Sequence, residues 1–261
     1  MSTNTTTLTS LRTILRKLDI TLPKPIRDAY ADTDRLNTAA RDIEPVTSKQ
    51  IAHAWGTAIL EDRDPHTDPA VQRLITINAL GDSIAQKMAD TAEDHIIDAL
   101  RANTRPILEA LRNLATTAGK TLEDANTVLR GLPLEDRETI AAHGSKHLAA
   151  WEQATAANST LKNVDRAWSW LQTLTRFAPA SEWIVRLADV DLDTFEKHRR
   201  RCNPWDLIVA GHSIDLAIDT DTIQARNSRR AEEHADRIAA GDAARRKLMN
   251  PSAGISLIPA V

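Results

Sequence analysis

The sequence predicts an all-α protein, an elongated multi-helix bundle of long helices with flexible termini. Three observations carry that reading. Apolar residues recur at helical rather than alternating spacing through every well-bounded segment. Only 8 glycines, 2 phenylalanines and 1 tyrosine occur among 261 residues, so tight hairpins and sheet-forming aromatics are scarce. Prolines and capping residues fall where helices should begin or stop.

Residues 1–7 read as a polar, disordered tail, with a first helix capped at Thr9 or Ser10 and striped by Leu8, Leu11, Ile14, Leu15 and Leu18. Two prolines interrupt that pattern before a second helix carrying Ile26, Tyr30, Leu36 and Ile43, which Pro45 stops. Thr47 or Ser48 caps a third helix through Trp55 to Leu60. Asp68 and Pro69 form a strong start, and helical periodicity then runs to about Ala118, with Gly81 and Pro106 as the places where so long a helix can kink or break. Its apolar face, from Ile77 through Ile84, Met88, Ala92, Ile96 and Leu100 to Ala118, repeats about every 3.7 residues, which suits a bundle better than a coiled coil.

A short helix over 121–130 should close at Gly131, and Gly131-Leu132-Pro133 is expected to part an N-terminal helical region, 8–131, from a second one, 134–220. A long helix resuming near Glu135 should be central, because its apolar positions, Trp168 and Leu171 among them, cover roughly 200° of its circumference. Pro179 ends it, Ser181 caps a segment from Trp183 to Ala188, and Asn203-Pro204 opens another helix, with a strand at 207–210 as the alternative. A charged, weakly amphipathic arm over 221–249 and an apolar tail over 250–261 complete the chain.

A net charge of −3 supplies no global field for nucleic acid or an anionic membrane. Cys202 is the only cysteine, so no intrachain disulfide or cysteine-based zinc cluster can form, which fits a reducing cytoplasm. The first residues lack a secretory pattern and no stretch approaches the roughly 20 apolar residues that span a bilayer. A soluble, cytoplasmic protein without a cofactor is expected.

Candidate sites are few. His143 and His147, four apart on one predicted helix, could place two imidazoles on a metal, but no third ligand is evident. The acidic runs 61–68 and 189–193 could gather oxygens, yet Thr194 and Arg200 stand where a calcium loop needs glycine and glutamate. Cys202, following Arg199, Arg200 and Arg201, has surroundings that could favour a thiolate. Thr47 to Gly56, TSKQIAHAWG, resembles the first half of a helix-turn-helix unit, but the chain then turns acidic where a recognition helix needs basic residues.

The expected function is therefore a non-enzymatic interaction protein, an assembly, scaffolding or adaptor factor of the sort phages and mobile elements encode. Its partner is a protein or a second copy. Arg226, Arg229, Arg230, Arg245, Arg246 and Lys247 would offer charge to that partner, and Ile255, Leu257 and Ile258 apolar anchors, with the arm contributing little to the bundle's own stability. The alternatives are a nucleic-acid-binding regulator using 47–56 or the C-terminal basic helices, and an enzyme of unrecognised type.

Overall fold

The computed structural model describes residues 3–41 and 46–249, and among them the chain forms eleven helices and no strand. It divides into two compact units, residues 1–107 with 173–175, and residues 108–172 with 176–261.

In the first unit, helices α1 (Thr3–Lys17), α2 (Lys24–Arg41), α3 (Ser48–Leu60) and α4 (Pro69–Ala102) follow one another, with α2 and α3 both packed along α4. The predicted stripe Leu8, Leu11, Ile14, Leu15 and Leu18 is buried with Ile26, Ala29, Tyr30, Ala92, Ile96 and Leu100. The start of α1 corrects the expected tail. Residues 3–7 are helical because the threonine hydroxyls are paired: Thr9 and Thr13 each donate to the carbonyl four residues back, and Thr5 donates to Glu93 Oε2 on α4 at 2.7 Å. Ile43 and the stop at Pro45 lie outside the described residues.

Thr47 caps α3 in a full capping box with Gln50, and Asp68 accepts from the backbone N–H of Ala70 and Val71 at the head of α4, with Pro69 at the first helical position. Helix α4 passes Gly81 unbroken for 34 residues, about 51 Å. It ends at Asn103, because Pro106 has no N–H for the Ala102 carbonyl and its ring would crowd it. Thr104 Oγ1 instead donates to the Leu100 carbonyl at 2.6 Å.

Helix α5 (Thr104–Leu129) carries the boundary between the units, and it absorbs the separate 121–130 helix expected from sequence. Gly119 is a notch: a Cβ there would lie 2.7 Å from Ile214 Cβ. The Gly131-Leu132-Pro133 turn lies within the second unit, stapled by two indoles, Trp205 donating to the Leu132 carbonyl and Trp151 to that of Leu134.

The rest of the second unit comprises α6 (Arg137–Ala142), α7 (Ser145–Thr175), α8 (Trp183–Leu187), α9 (Leu192–His198), α10 (Pro204–Val209) and α11 (Thr220–Met249). Gly144, at φ 96°, separates α6 from α7, so the long helix starts ten residues later than Glu135. Leu161, Val164, Ala167, Trp168 and Leu171 bury its broad face. The strand offered as the alternative at 207–210 does not form: residues 204–209 are helical with Pro204 at the first position, and Ala210 is the C-cap. Glu182, not Ser181, precedes α8, and no side chain caps that helix.

Replacing Gly119 by alanine should destabilise the chain by about 1–3 kcal/mol, since overpacking outweighs the gain in helix propensity. Gly56→Ala, inside α3 with nothing within 4 Å of the new methyl, should stabilise it by about 0.5–1 kcal/mol. Thermal or urea denaturation of the two variants checks both signs.

Candidate functional site

The sequence pointed to the C-terminal arm. Three of its arginines are used internally. Ile223, Arg226 and Arg230 form the buried stripe of α11, at positions i, i+3 and i+7, against α8 and α9. Arg226 donates to the carbonyls of Val185 (2.8 Å), Arg186 (3.2 Å) and Asp215 (2.8 Å), and to the Asp215 carboxylate (2.9 Å). Burial pulls its pKa down while Asp215 pulls it back up.

Arg229 clamps the carboxylate of Asp189 with two bonds of 2.5 Å, and Arg230 stacks over Phe195 with its guanidinium carbon 4.3 Å from the ring centre. Glu233 accepts from the backbone N–H of Leu192 at the head of α9. The expectation that Arg226, Arg229 and Arg230 present free charge, on an arm contributing little to the fold, is thus corrected for the first half of α11. These side chains satisfy acids and carbonyls that would otherwise be orphaned.

Beyond Glu233 the arm changes character. Every residue from His234 to Arg246 is exposed, including Ile238, Arg245 and Arg246, and only Arg237 reaches back, to Asp193 and Glu196. The Lys247 side chain, Ile255, Leu257 and Ile258 lie outside the described residues.

A second surface was not singled out from sequence. The apolar stripe of α4 is buried at Ala92, Ile96 and Leu100, but its N-terminal continuation is not: Ile77 and Met88 are half-buried, and Leu80 and Ile84 are 49% and 44% exposed. On α3, Ile59 and Leu60 are exposed too, while Trp55 packs edge-on against His66 at 4.9 Å. The signal was available, because the stripe is longer than α1 and α2 can cover.

A cleft of about 490 Å³ opens between α1, α2 and α4, floored by Leu8, Tyr30 and Ile96 and edged by Arg12, Asn37 and Glu93. The Arg12 guanidinium lies 4.6 Å from the Tyr30 ring centre, and burial pushes the Tyr30 hydroxyl up to about 12, which keeps it neutral. Among the described residues the cleft is lined by no histidine, cysteine or serine, and Thr5 donates to the Glu93 carboxylate there at 2.7 Å.

The remaining candidates resolve locally. His143 ends α6 and His147 lies in the first turn of α7, so Gly144 removes the single helix expected to carry both. Their rings still approach, with centres 5.1 Å apart. Among the described residues no group of three or more His, Cys, Asp or Glu could hold a metal ion. Asp68 and Asp191 are helix caps, and Asp189 and Asp193 pair with Arg229 and Arg237. Gly56 lies inside α3, where a helix-turn-helix unit would turn. The activated thiolate considered at Cys202 is corrected: burial, with Asp206 and Asp165 nearby, pushes that thiol up to about 12. No helix among the described residues is long and apolar enough to cross a membrane.

No family model matches the chain, and no curated protein or solved structure matches it.

Arg226→Ala should cost about 1–3 kcal/mol, because the carbonyls of Val185 and Asp215 lose the donor the arginine supplies, whereas Arg245→Ala should stay within about 0.5 kcal/mol. Equal melting temperatures for the two variants would refute this division of the arm. Iodoacetamide at neutral pH should leave Cys202 unmodified until the protein is unfolded, and rapid labelling of the folded chain would show an accessible thiolate.

Proposed function

We propose that this chain is a non-enzymatic helical interaction protein that receives a helix of another chain on the uncovered stripe of α4. The observation that supports it most is continuity. One face of one helix is packed at Ala92, Ile96 and Leu100, then runs on through Met88, Ile84, Leu80 and Ile77, with Leu80 and Ile84 49% and 44% exposed and Ile77 and Met88 half-buried. Exposed apolar residues scattered singly are ordinary, but Leu80 and Ile84, flanked at helical spacing by the half-buried Ile77 and Met88 and in line with a buried seam, match what a partner helix recognises.

The outer half of α11 adds a second contact surface, a helix solvated on all sides with Ile238 and Arg245 available. Support for a nucleic-acid partner is thinner. Arg226, Arg229 and Arg237 are paired with acids and Arg230 is packed on Phe195, which leaves few cations in the arm free to converge on phosphates. The acidic and cysteine candidates for chemistry have structural roles or raised pKa values, so nothing favours catalysis over binding.

Sedimentation over a wide concentration range, on the wild type and on Leu80→Glu and Ile84→Glu, tests the reading. Both variants should keep the wild-type melting temperature within about 0.5 kcal/mol of stability, because each position is already open to water. Each should abolish self-association, or the capture of a defined partner from the native host. Association that persists in both variants would remove the α4 stripe from the function.

A further inference from the structure

The second unit holds a cavity of about 490 Å³ between the last turn of α5 and the junction of α6 with α7. That volume lies within the range of about 300–1,000 Å³ usual for small-molecule sites. Its polar lining is Thr127, Arg130, His143, Lys146 and His147, and no carboxylate lines it. Such a lining is unusual here, because acids outnumber bases along the chain, 36 to 33, and Arg186, Arg226 and Arg229 of this unit are each matched to an acid.

We propose that this cavity binds a phosphate group, free or carried on a small molecule as a monoester. Arg130 and Lys146 supply the charge, and among the described residues neither makes an ion pair or hydrogen bond through its side chain. His143 Nδ1 lies 2.7 Å from the Thr139 carbonyl, and a carbonyl only accepts, so Nδ1 carries the proton and Nε2 is left for other use. His147 has a buried ring nitrogen, Nδ1, with no hydrogen-bond partner among the described residues. A buried polar atom left unpaired in this way is what a bound ligand would satisfy.

Two neighbouring imidazoles also invite a divalent cation, but electrostatics decides against it. With Arg130 and Lys146 in the same lining and no acid to offset them, the field repels a metal ion and attracts an oxyanion. Helix α7, 31 residues long, begins at Ser145 with no side-chain cap, one residue before Lys146, and its dipole adds to the same positive field.

Titration calorimetry of the full chain with inorganic phosphate, phosphoserine and glycerol 3-phosphate, at constant ionic strength, tests the site and separates free phosphate from a monoester. Phosphate-class binding should weaken at least tenfold in Arg130→Ala and in Lys146→Ala, both exposed positions whose variants should melt like the wild type. Arg245→Ala, a cation elsewhere on the second unit, should bind like the wild type. No binding to any of the three anions would overturn the proposal, as would binding unchanged in Arg130→Ala and Lys146→Ala. Zinc raising the melting temperature of the wild type but not of His143→Gln or His147→Gln would overturn it in favour of a metal site.

Discussion

The second unit depends on what happens to three carbonyl groups. Helix α8 is five residues long and buried from Ile184 to Leu187, so the carbonyls of its last turn can reach neither a following helical turn nor water. Each buried carbonyl left unpaired would cost about 1–3 kcal/mol. They are met from two directions. The extended segment after Gly211 donates from the backbone, Asp215 N–H to Leu187 at 2.9 Å and Ala217 N–H to Arg186 at 2.7 Å. Arg226 reaches in from α11 to Val185 and Arg186. A lysine could not do this, because the task needs several donors held in one plane at a fixed spacing.

That network extends through its partners. Asp215, which accepts from Arg226, also accepts from Arg112 on α5 at 2.8 Å, and Ala217 accepts from the indole of Trp168 on α7. Arg186 itself lies over the Trp168 ring at 4.8 Å and pairs with Asp165, whose pKa burial raises against the pull of that arginine. Helices α5, α7, α8 and α11 therefore share one polar cluster of Arg112, Asp165, Arg186, Asp215 and Arg226, closed by Trp168. Fully paired, such a cluster fixes one arrangement of the chain. Partly paired, it is worse than an apolar core.

This cluster also explains what the sequence revealed and what it hid. The caps at Thr47 and Asp68, the stripe of α1 and the buried face of α7 follow from local rules, helical spacing and short polar side chains beside free N–H groups, and they were legible. Helix α11 was misread because periodicity counts arginine as solvent-facing, and here the buried stripe is Ile223, Arg226 and Arg230. The notch at Gly119 was not legible, since its reason lies on a segment 95 residues away. The break at Gly144 needed the positive φ to be known, and with it went the single helix for His143 and His147. The cationic cavity was invisible, because Arg130 and Lys146 come together only through the fold.

The contrast between the two halves of α11 has a consequence for how the chain can meet a partner. An isolated helix of a dozen or so residues is marginal in water, because forming its first turn fixes several residues for one hydrogen bond. The outer half of α11 is spared that nucleation step, since the docked stripe from Ile223 to Arg230 already holds the preceding turns in place. What remains is propagation, favoured by Ala235, Ala239, Ala240, Ala243 and Ala244 and opposed by Gly241, at about 1 kcal/mol relative to alanine. Arg237, held by Asp193 and Glu196, ties the first of those turns back to α9. Past it the balance between helix and coil is set by small terms alone. A contact worth a few kcal/mol could therefore order the end of α11 without disturbing the Arg226 cluster, and a substitution there would change binding and leave the folded unit as it is.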